Sequence, residues 1–122
     1  MVEKIWGSEE WIVNNDKYCL KYLYVSPGRV CSNHSHRVKQ EDFHVVAGSG
    51  FIRVGGDLRW VSVGDTVHVP VGVFHYFGTY DGLTLIEVST HHSDWDVERR
   101  QESRTINDGD TEWFALWEAN RD

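Results

Sequence analysis

The sequence predicts an all-β domain, and three observations carry that prediction. From Trp11 to Ser89, short runs rich in Val, Leu, Ile, Tyr and Phe alternate with turn residues, the pattern of a barrel or sandwich. No long stretch repeats its apolar residues at the helical period. Gly, Asn and Asp cluster between the runs, where hairpins need left-handed or pre-kinked backbone.

Taken in order, the first predicted strand is Glu10 to Val13, stopped by Asn14-Asn15-Asp16. Tyr18 to Val25 follows and ends at Ser26-Pro27-Gly28, beyond which Val30 to Ser35 forms the third. Glu41 to Ala47 and Gly50 to Val54 are read as separate strands parted by a turn at Gly48-Ser49-Gly50. Leu58 to Val61 starts after the turn Gly55-Gly56-Asp57, and Thr66 to Val69 lies between Gly64 and Pro70. A tight turn at Pro70 and Gly72 leads into His75 to Gly78, and Tyr80-Asp81-Gly82 leads into Leu83 to Ser89. Beyond Ser89 the segment His91 to Asp110 is polar and charged. Thr111 to Asn120 then sets Trp113, Phe114, Leu116 and Trp117 at spacings of one helix face, with Asp110 placed to cap it. The expected division is a barrel domain over residues 1–105 and an aromatic tail over 106–122, helical or irregular, packed on the barrel or on a partner subunit.

A chain of 122 residues supports one core, and six Trp, five Tyr and five Phe supply its bulk. The net charge of -7 argues against nucleic acid or an anionic membrane as partner. Met1-Val2-Glu3-Lys4 leads straight into a polar segment and no apolar run reaches about 18 residues, so a cytoplasmic location is expected. Cys19 and Cys31 lack a Cys-x-x-Cys spacing and read as reduced, partly buried thiols.

Chemistry concentrates in His34, His36, Glu41 and His75. The first block runs Gly28, five residues, His34-Ser35-His36, four residues, Glu41, six residues, Gly48; the second runs Gly64, five residues, Pro70-Val71-Gly72, two residues, His75. Alternate side chains of a strand share a face, so His34 and His36 point the same way and a following turn brings Glu41 back beside them. An isolated His-x-His is more often an ordinary pair of polar residues; the added Glu41, His75 and the glycine and proline frame favour a site. Three imidazoles and a carboxylate suit one divalent transition metal, without choosing among zinc, manganese, iron, nickel and copper.

Both blocks resemble the two sequence motifs of the cupin superfamily, with Thr79 where the second motif often ends in Asn. The resemblance implies a small jelly-roll barrel in which the matching His34, His36, Glu41 and His75 bind the metal. A narrower resemblance lies in Trp6-Gly7, Leu85-Ile86-Glu87-Val88-Ser89 and Val97-Glu98-Arg99, which are similar to the carboxy-terminal cupin part of type II mannose-6-phosphate isomerases over Ile5 to Arg99. That family carries a nucleotidyltransferase domain ahead of the cupin, and these 122 residues correspond to the cupin part. The layout is also similar to cupin D-lyxose isomerases, where a Lys on the strand before the first motif and a Glu after the second carry proton transfer. Lys21 and Glu87 occupy the matching places.

From the residues alone, Lys21 and Glu87 each sit mid-strand, where a charge is costly unless paired, or else face solvent. With the resemblance, the reading is a metal-dependent aldose-ketose isomerase of carbohydrate metabolism working by metal-assisted enediolate proton transfer. Glu87 would take a proton from one carbon and Lys21 would assist at the neighbouring oxygen. Arg29 and Arg99 are candidates to hold the distal phosphate or hydroxyl end of a sugar or sugar phosphate. Two alternatives stand beside it: an iron-dependent cupin dioxygenase, since acireductone dioxygenase shares the metal motifs, and a non-catalytic metal- and sugar-binding cupin. Burial of Lys21 and Glu87 inside the barrel separates the catalytic readings from the last. His44 and His68 are expected to point outward by strand parity, and His91 and His92 to lie near the mouth. Open sheet edges and the aromatic tail favour a homodimer.

Overall fold

The structure, a computed structural model, describes residues 1–121. Its strands are β1 (Val2–Lys4), β2 (Gly7–Asn14), β3 (Cys19–Val25), β4 (Arg29–Val30), β5 (Asn33–Ser35) and β6 (Glu41–Val54). They continue as β7 (Asp57–Ser62), β8 (Thr66–Val69), β9 (His75–Thr79), β10 (Leu83–Ser89), β11 (Glu98–Gln101) and β12 (Arg104–Thr105), followed by helix α1 (Thr111–Asn120). The expected all-β architecture is present. No helix of the described residues is long and apolar enough to cross a membrane.

All pairings are antiparallel and build two sheets that share β6. The first half of β6 pairs with β10 and β8, and β10 leads outward through β3 and β2 to β1. The second half pairs with β7 and β9, and β9 leads on to β4 and β12, with β5 and β11 alongside. In β3 and β10 every second residue is buried. Period-two alternation therefore puts Lys21 and Glu87 on the inner face with Leu23 and Leu85. The core between the sheets includes Leu23, Phe43, Val45, Phe51, Phe77 and Leu85. Each such fully buried side chain contributes about 1.5–3 kcal/mol relative to exposure.

The turn expected at Gly48-Ser49-Gly50 is instead a bend inside the 14-residue β6. Its register against β10 shifts between Thr84 and Leu85, whose partners are Ala47 and Val45, so Val46 is an extra residue. A bulge turns a strand without ending it, and here it carries the chain from one sheet to the other. Gly48, at φ +73°, completes the bend; a Cβ there would lie 2.2 Å from the Gly82 carbonyl oxygen. Left-handed backbone costs a non-glycine residue roughly 1–2 kcal/mol and the clash adds to it. Gly48→Ala is therefore expected to lower the melting temperature by about 5–10 °C, read by circular dichroism; an unchanged melt would show the bend to be dispensable.

The segment 91–110, read from the sequence as polar and charged with no strand assigned, contains β11 and β12, which pair with β5 and β4. These edge strands are short and charged, so no apolar alternation announces them. The helix lies where expected and packs on the second sheet: Trp113 stacks on Phe51 at 4.8 Å between ring centroids and its Nε1 donates to Tyr76 Oη at 2.9 Å. Asp110 stands at the N-cap position but makes no side-chain cap hydrogen bond. Its carboxylate instead accepts both Arg104 guanidinium nitrogens at 2.8 and 2.7 Å and the Asn107 N–H. A charge-assisted bidentate pair is stronger than a neutral capping bond. Cys19 and Cys31 are free and buried, and burial pushes the Cys31 thiol up to about 12.

Candidate metal centre

His34 in β5 lies directly opposite His75, the first residue of β9, so the two imidazoles share a face with ring centroids 4.4 Å apart. His36 follows just past β5, and Glu41 opens β6. One ligand atom from each of these four residues lies within 4.8 Å of the others. Their orientation is set from behind. The Nδ1 of His34 faces the Ser32 carbonyl at 2.7 Å, that of His36 the Asp96 carbonyl at 2.6 Å, and that of His75 the Val73 carbonyl at 2.9 Å. A carbonyl only accepts, so each Nδ1 carries the proton and each Nε2 presents a lone pair to the centre.

Glu41 Oε1 then lies 2.6 Å from His75 Nε2 and 3.5 Å from His36 Nε2. Both Glu41 Oε1 and His75 Nε2 are buried without a hydrogen-bond partner. Acceptors converging at this distance repel unless a cation sits among them, so the donor set fits a divalent metal. Nitrogen and oxygen donors together do not select one. Burial, with His75 adjacent, drives His34 down to about 3, and burial also lowers His36. Burial would raise Glu41, but the adjacent His75 and the Lys39 ammonium outweigh it and hold the carboxyl well below its usual range. Neutral imidazoles and an ionised carboxylate are the ligating forms.

The pocket at this centre encloses about 580 Å³, a size suited to a small molecule. Lys21 and Glu87 both line it and are 2% and 4% exposed. Each has a charged partner that sequence reasoning missed. Lys21 Nζ is 3.7 Å from Glu9 Oε1 and 4.1 Å from the Trp11 ring centroid. Glu87 Oε2 accepts from Lys39 Nζ at 3.1 Å, and Lys39 also reaches Glu41 Oε2 at 3.3 Å and His92 Nδ1 at 2.9 Å. Burial would lower Lys39, but Glu87 and Glu41 raise it above its ordinary value; burial, followed by Glu41, raises Glu87. The one sequence signal for Lys39 is its spacing of two from Glu41. Asp96 was also missed: besides its carbonyl, its carboxylate accepts the N–H groups of Arg37, Val38 and Lys39 and so shapes the loop between His36 and Glu41.

Arg99 lies at the pocket wall, opposite His34 in register. Arg29 does not itself line the pocket; its guanidinium donates to the carbonyl of Ile5, which does. In register Arg29 pairs with Thr79, at the end of β9 away from His75, and with Thr105. His44 and His68 face outward, bonded to Thr66 and Asp42, and His91 bonds the Asn15 carbonyl at the surface. His92 lines the pocket, lowered to about 4 first by burial and then by Lys39.

These shifts fix a pH dependence for the metal-free protein. His34 and His92 have folded values below that of an unfolded imidazole, about 6.5, so their contribution is intact above it and lost as pH falls toward about 4 and 3. The raised Glu87 acts in the opposite sense, one group against the three lowered imidazoles of His34, His36 and His92. Melting temperatures of chelator-treated protein are expected to fall steadily from about pH 7 to pH 4; a flat or rising profile would contradict the buried neutral imidazoles.

A small antiparallel double-stranded barrel with a three-histidine, one-carboxylate cluster at its pocket defines a cupin. Within that class the chain belongs to the family described as mannose-6-phosphate isomerase C-terminal, whose model matches residues 1–102. It is 30% identical over 74 residues to a mannose-1-phosphate guanylyltransferase of Escherichia coli (strain K12), covering 61% of this chain and 16% of that protein. It is 32% identical over 89 residues to the enzyme of that name from Salmonella montevideo, covering 71% and 19%. The chain thus spans under a fifth of the length of these relatives. Among solved structures, KdgF from Halomonas sp. superposes with a TM-score of 0.65 at 18% identity, covering 70% of this chain and 79% of that one. A protein from Planctomyces limnophilus gives 0.67 at 19%, covering 79% and 85%. At these identities the likeness is one of fold.

Proposed function

We propose that the protein is an aldose-ketose isomerase acting on an open-chain sugar or sugar phosphate. The observation that carries this reading is Glu87: a buried carboxylate inside the pocket of the four-ligand cluster, held by hydrogen bonds that leave one oxygen for a substrate. Lys39 and Ser89 both donate to Oε2, so Oε1 has no hydrogen-bond partner among the described residues. A metal held by His34, His36, Glu41 and His75 would polarise a carbonyl and neutralise charge developing on its oxygen.

The remaining steps belong to the chain's own side chains. Glu87 takes the proton from the carbon beside the carbonyl and returns it to the former carbonyl carbon, so no proton is gained or lost. Lys21, fixed by Glu9 and covered by Trp11, donates to the carbonyl oxygen and recovers a proton from the neighbouring hydroxyl. Lys39 orients Glu87 and, through Glu41, joins the proton-transfer group to the metal cluster. Phe43 and Phe77, 5.5 Å apart between centroids, line the pocket and exclude water from that side. The family relationship supports a carbohydrate substrate for this domain.

The test is incubation of metal-loaded protein with a panel of aldoses and their phosphate esters in heavy water, followed by NMR. Ketose carrying deuterium from solvent is the expected product. Absence of exchange with every sugar, together with oxygen consumption by the iron-loaded protein, would replace the isomerase with an oxygenase.

A further inference from the structure

We infer that the outward face of the first sheet docks a second copy of this chain, about a two-fold axis running along the strands between β3 and β10. The outer face of an antiparallel sheet ordinarily reads polar, and this one does not. The alternation that buries Lys21 and Glu87 turns Leu20, Tyr22 and Tyr24 of β3 and Ile86 and Val88 of β10 away from the pocket. They lie in register, Leu20 opposite Val88, Tyr22 opposite Ile86 and Tyr24 opposite Thr84, with Val13 of β2 beyond Leu20. Val88 is 47% exposed. The rings of Tyr22 and Tyr24 stack at 6.2 Å between centroids, a flat aromatic surface with few rotors to order on binding. Helix α1 lies on β6 and β7 and covers part of the second sheet; it leaves this face open.

Charge and symmetry on the face select a second copy as its occupant. Across β2, β3, β10 and β6 the middle row runs Glu10, Tyr22, Ile86, His44. A two-fold axis between β3 and β10 exchanges those two strands and exchanges β2 with β6. Tyr22 then meets Ile86, Leu20 meets Val88, and Glu10 meets His44 of the second copy, each contact occurring twice. Stacked sheets align at about -30°, which keeps the rows matched near the axis. The polar ends are available: Tyr24 Oη donates to Glu10 Oε1 at 3.0 Å and leaves Oε2, and Thr66 Oγ1 meets His44 Nδ1 at 2.8 Å and leaves Nε2. Asp42, which falls at the rim against Val13, is held by His68 of its own chain at 2.8 Å. A partner drawn by the net charge of -7 would be basic and would gain nothing from the uncharged centre of this face.

The area suffices for a weak dimer. Strands of seven residues in β3 and β10, flanked by β2, β6 and β8, give a face of roughly 24 by 22 Å. Two such faces bury on the order of 1,000 Å² in total, the lower end of specific interfaces, so association belongs in the micromolar range.

Sedimentation equilibrium of the full chain across the micromolar range tests this. The expected result is a species of twice 14.1 kDa in reversible exchange with monomer. Ile86→Glu should weaken association by about thirtyfold or more, as for a residue at the centre of an interface, with the circular dichroism spectrum unchanged because the side chain points away from the core. Glu10→Arg and His44→Glu should each weaken it by about tenfold. The two together should restore it, an outcome that loss of folding cannot mimic. Phe114→Glu, on the exposed side of α1, should leave association as it is. A chain that stays monomeric throughout, a dimer that survives Ile86→Glu, a dimer lost with Phe114→Glu, or a double reversal no tighter than either single one would overturn the inference.

Discussion

Replacing Glu87 by Gln is expected to cut the rate of solvent-deuterium incorporation by on the order of 10²–10⁴, the usual contribution of a positioned general base. Gln keeps the shape of the side chain and an oxygen able to accept from Lys39 and Ser89, which now meet Oε2 at 3.1 and 3.0 Å. What it removes is the basic oxygen. Glu87 lies in β10, outside the four-residue cluster of β5, β6 and β9, so metal content should stay at the wild-type level. The split between lost exchange and retained metal is the signature of a proton carrier. Equal loss of both would assign Glu87 to holding the centre together, and unchanged exchange would remove it from the mechanism.

Truncating His75 to Ala is expected to abolish tight metal binding. His75 is 1% exposed and faces both His34 and Glu41, so no solvent ligand can take its place without opening the wall. A ligand that binds only the folded state stabilises it by about 2.7 kcal/mol at a hundred times its dissociation constant, which for a domain of this size amounts to about 5–15 °C in melting temperature. Wild-type protein should show that rise when a chelator is exchanged for metal, and His75→Ala should show none. The substitution also relieves the facing acceptors, so the metal-free variant need not be less stable than metal-free wild type by the full cost of a cavity. A metal-induced rise of equal size in both proteins would place the ion elsewhere.

Local signals made much of this legible in the sequence. Strands such as Thr66–Val69 and Leu83–Ser89 are bounded by Gly, Pro and Asp and alternate cleanly, so period and punctuation agree. The spacing of His34, His36, Glu41 and His75 is set by strand parity and fixed turns, and the fold brings those four together. The sequence left Lys21 and Glu87 open between a paired inner position and a solvated one; the alternation of β3 and β10 buries both, and their partners could not be named in advance. Glu9 and Lys39 come from β2 and from the loop before β6, and only the three-dimensional register puts them there. A lysine in a loop reads as solvated by default, and this one is buried because two carboxylates flank it.

Gly48-Ser49-Gly50 misled for a related reason. The residues that make a turn also make a bulge, and the choice depends on whether the chain beyond them finds a partner strand; here β7 and β9 both pair with the second half of β6. Asp96 carried no signal at all, since its work is done by a backbone carbonyl and by three N–H groups about 60 residues away. Arg29 shows a similar limit: its place beside the first motif is legible in the sequence, but the hydrogen bond from its guanidinium to the Ile5 carbonyl is not.

Anomalous diffraction from crystals grown with one equivalent of a divalent transition metal is the most direct check on the three-imidazole, one-carboxylate centre. A single anomalous peak at about 2.0–2.2 Å from the Nε2 atoms of His34, His36 and His75 and from Glu41 Oε1 is the expected result. A peak bound elsewhere, or no peak with the four side chains still converging, would contradict it.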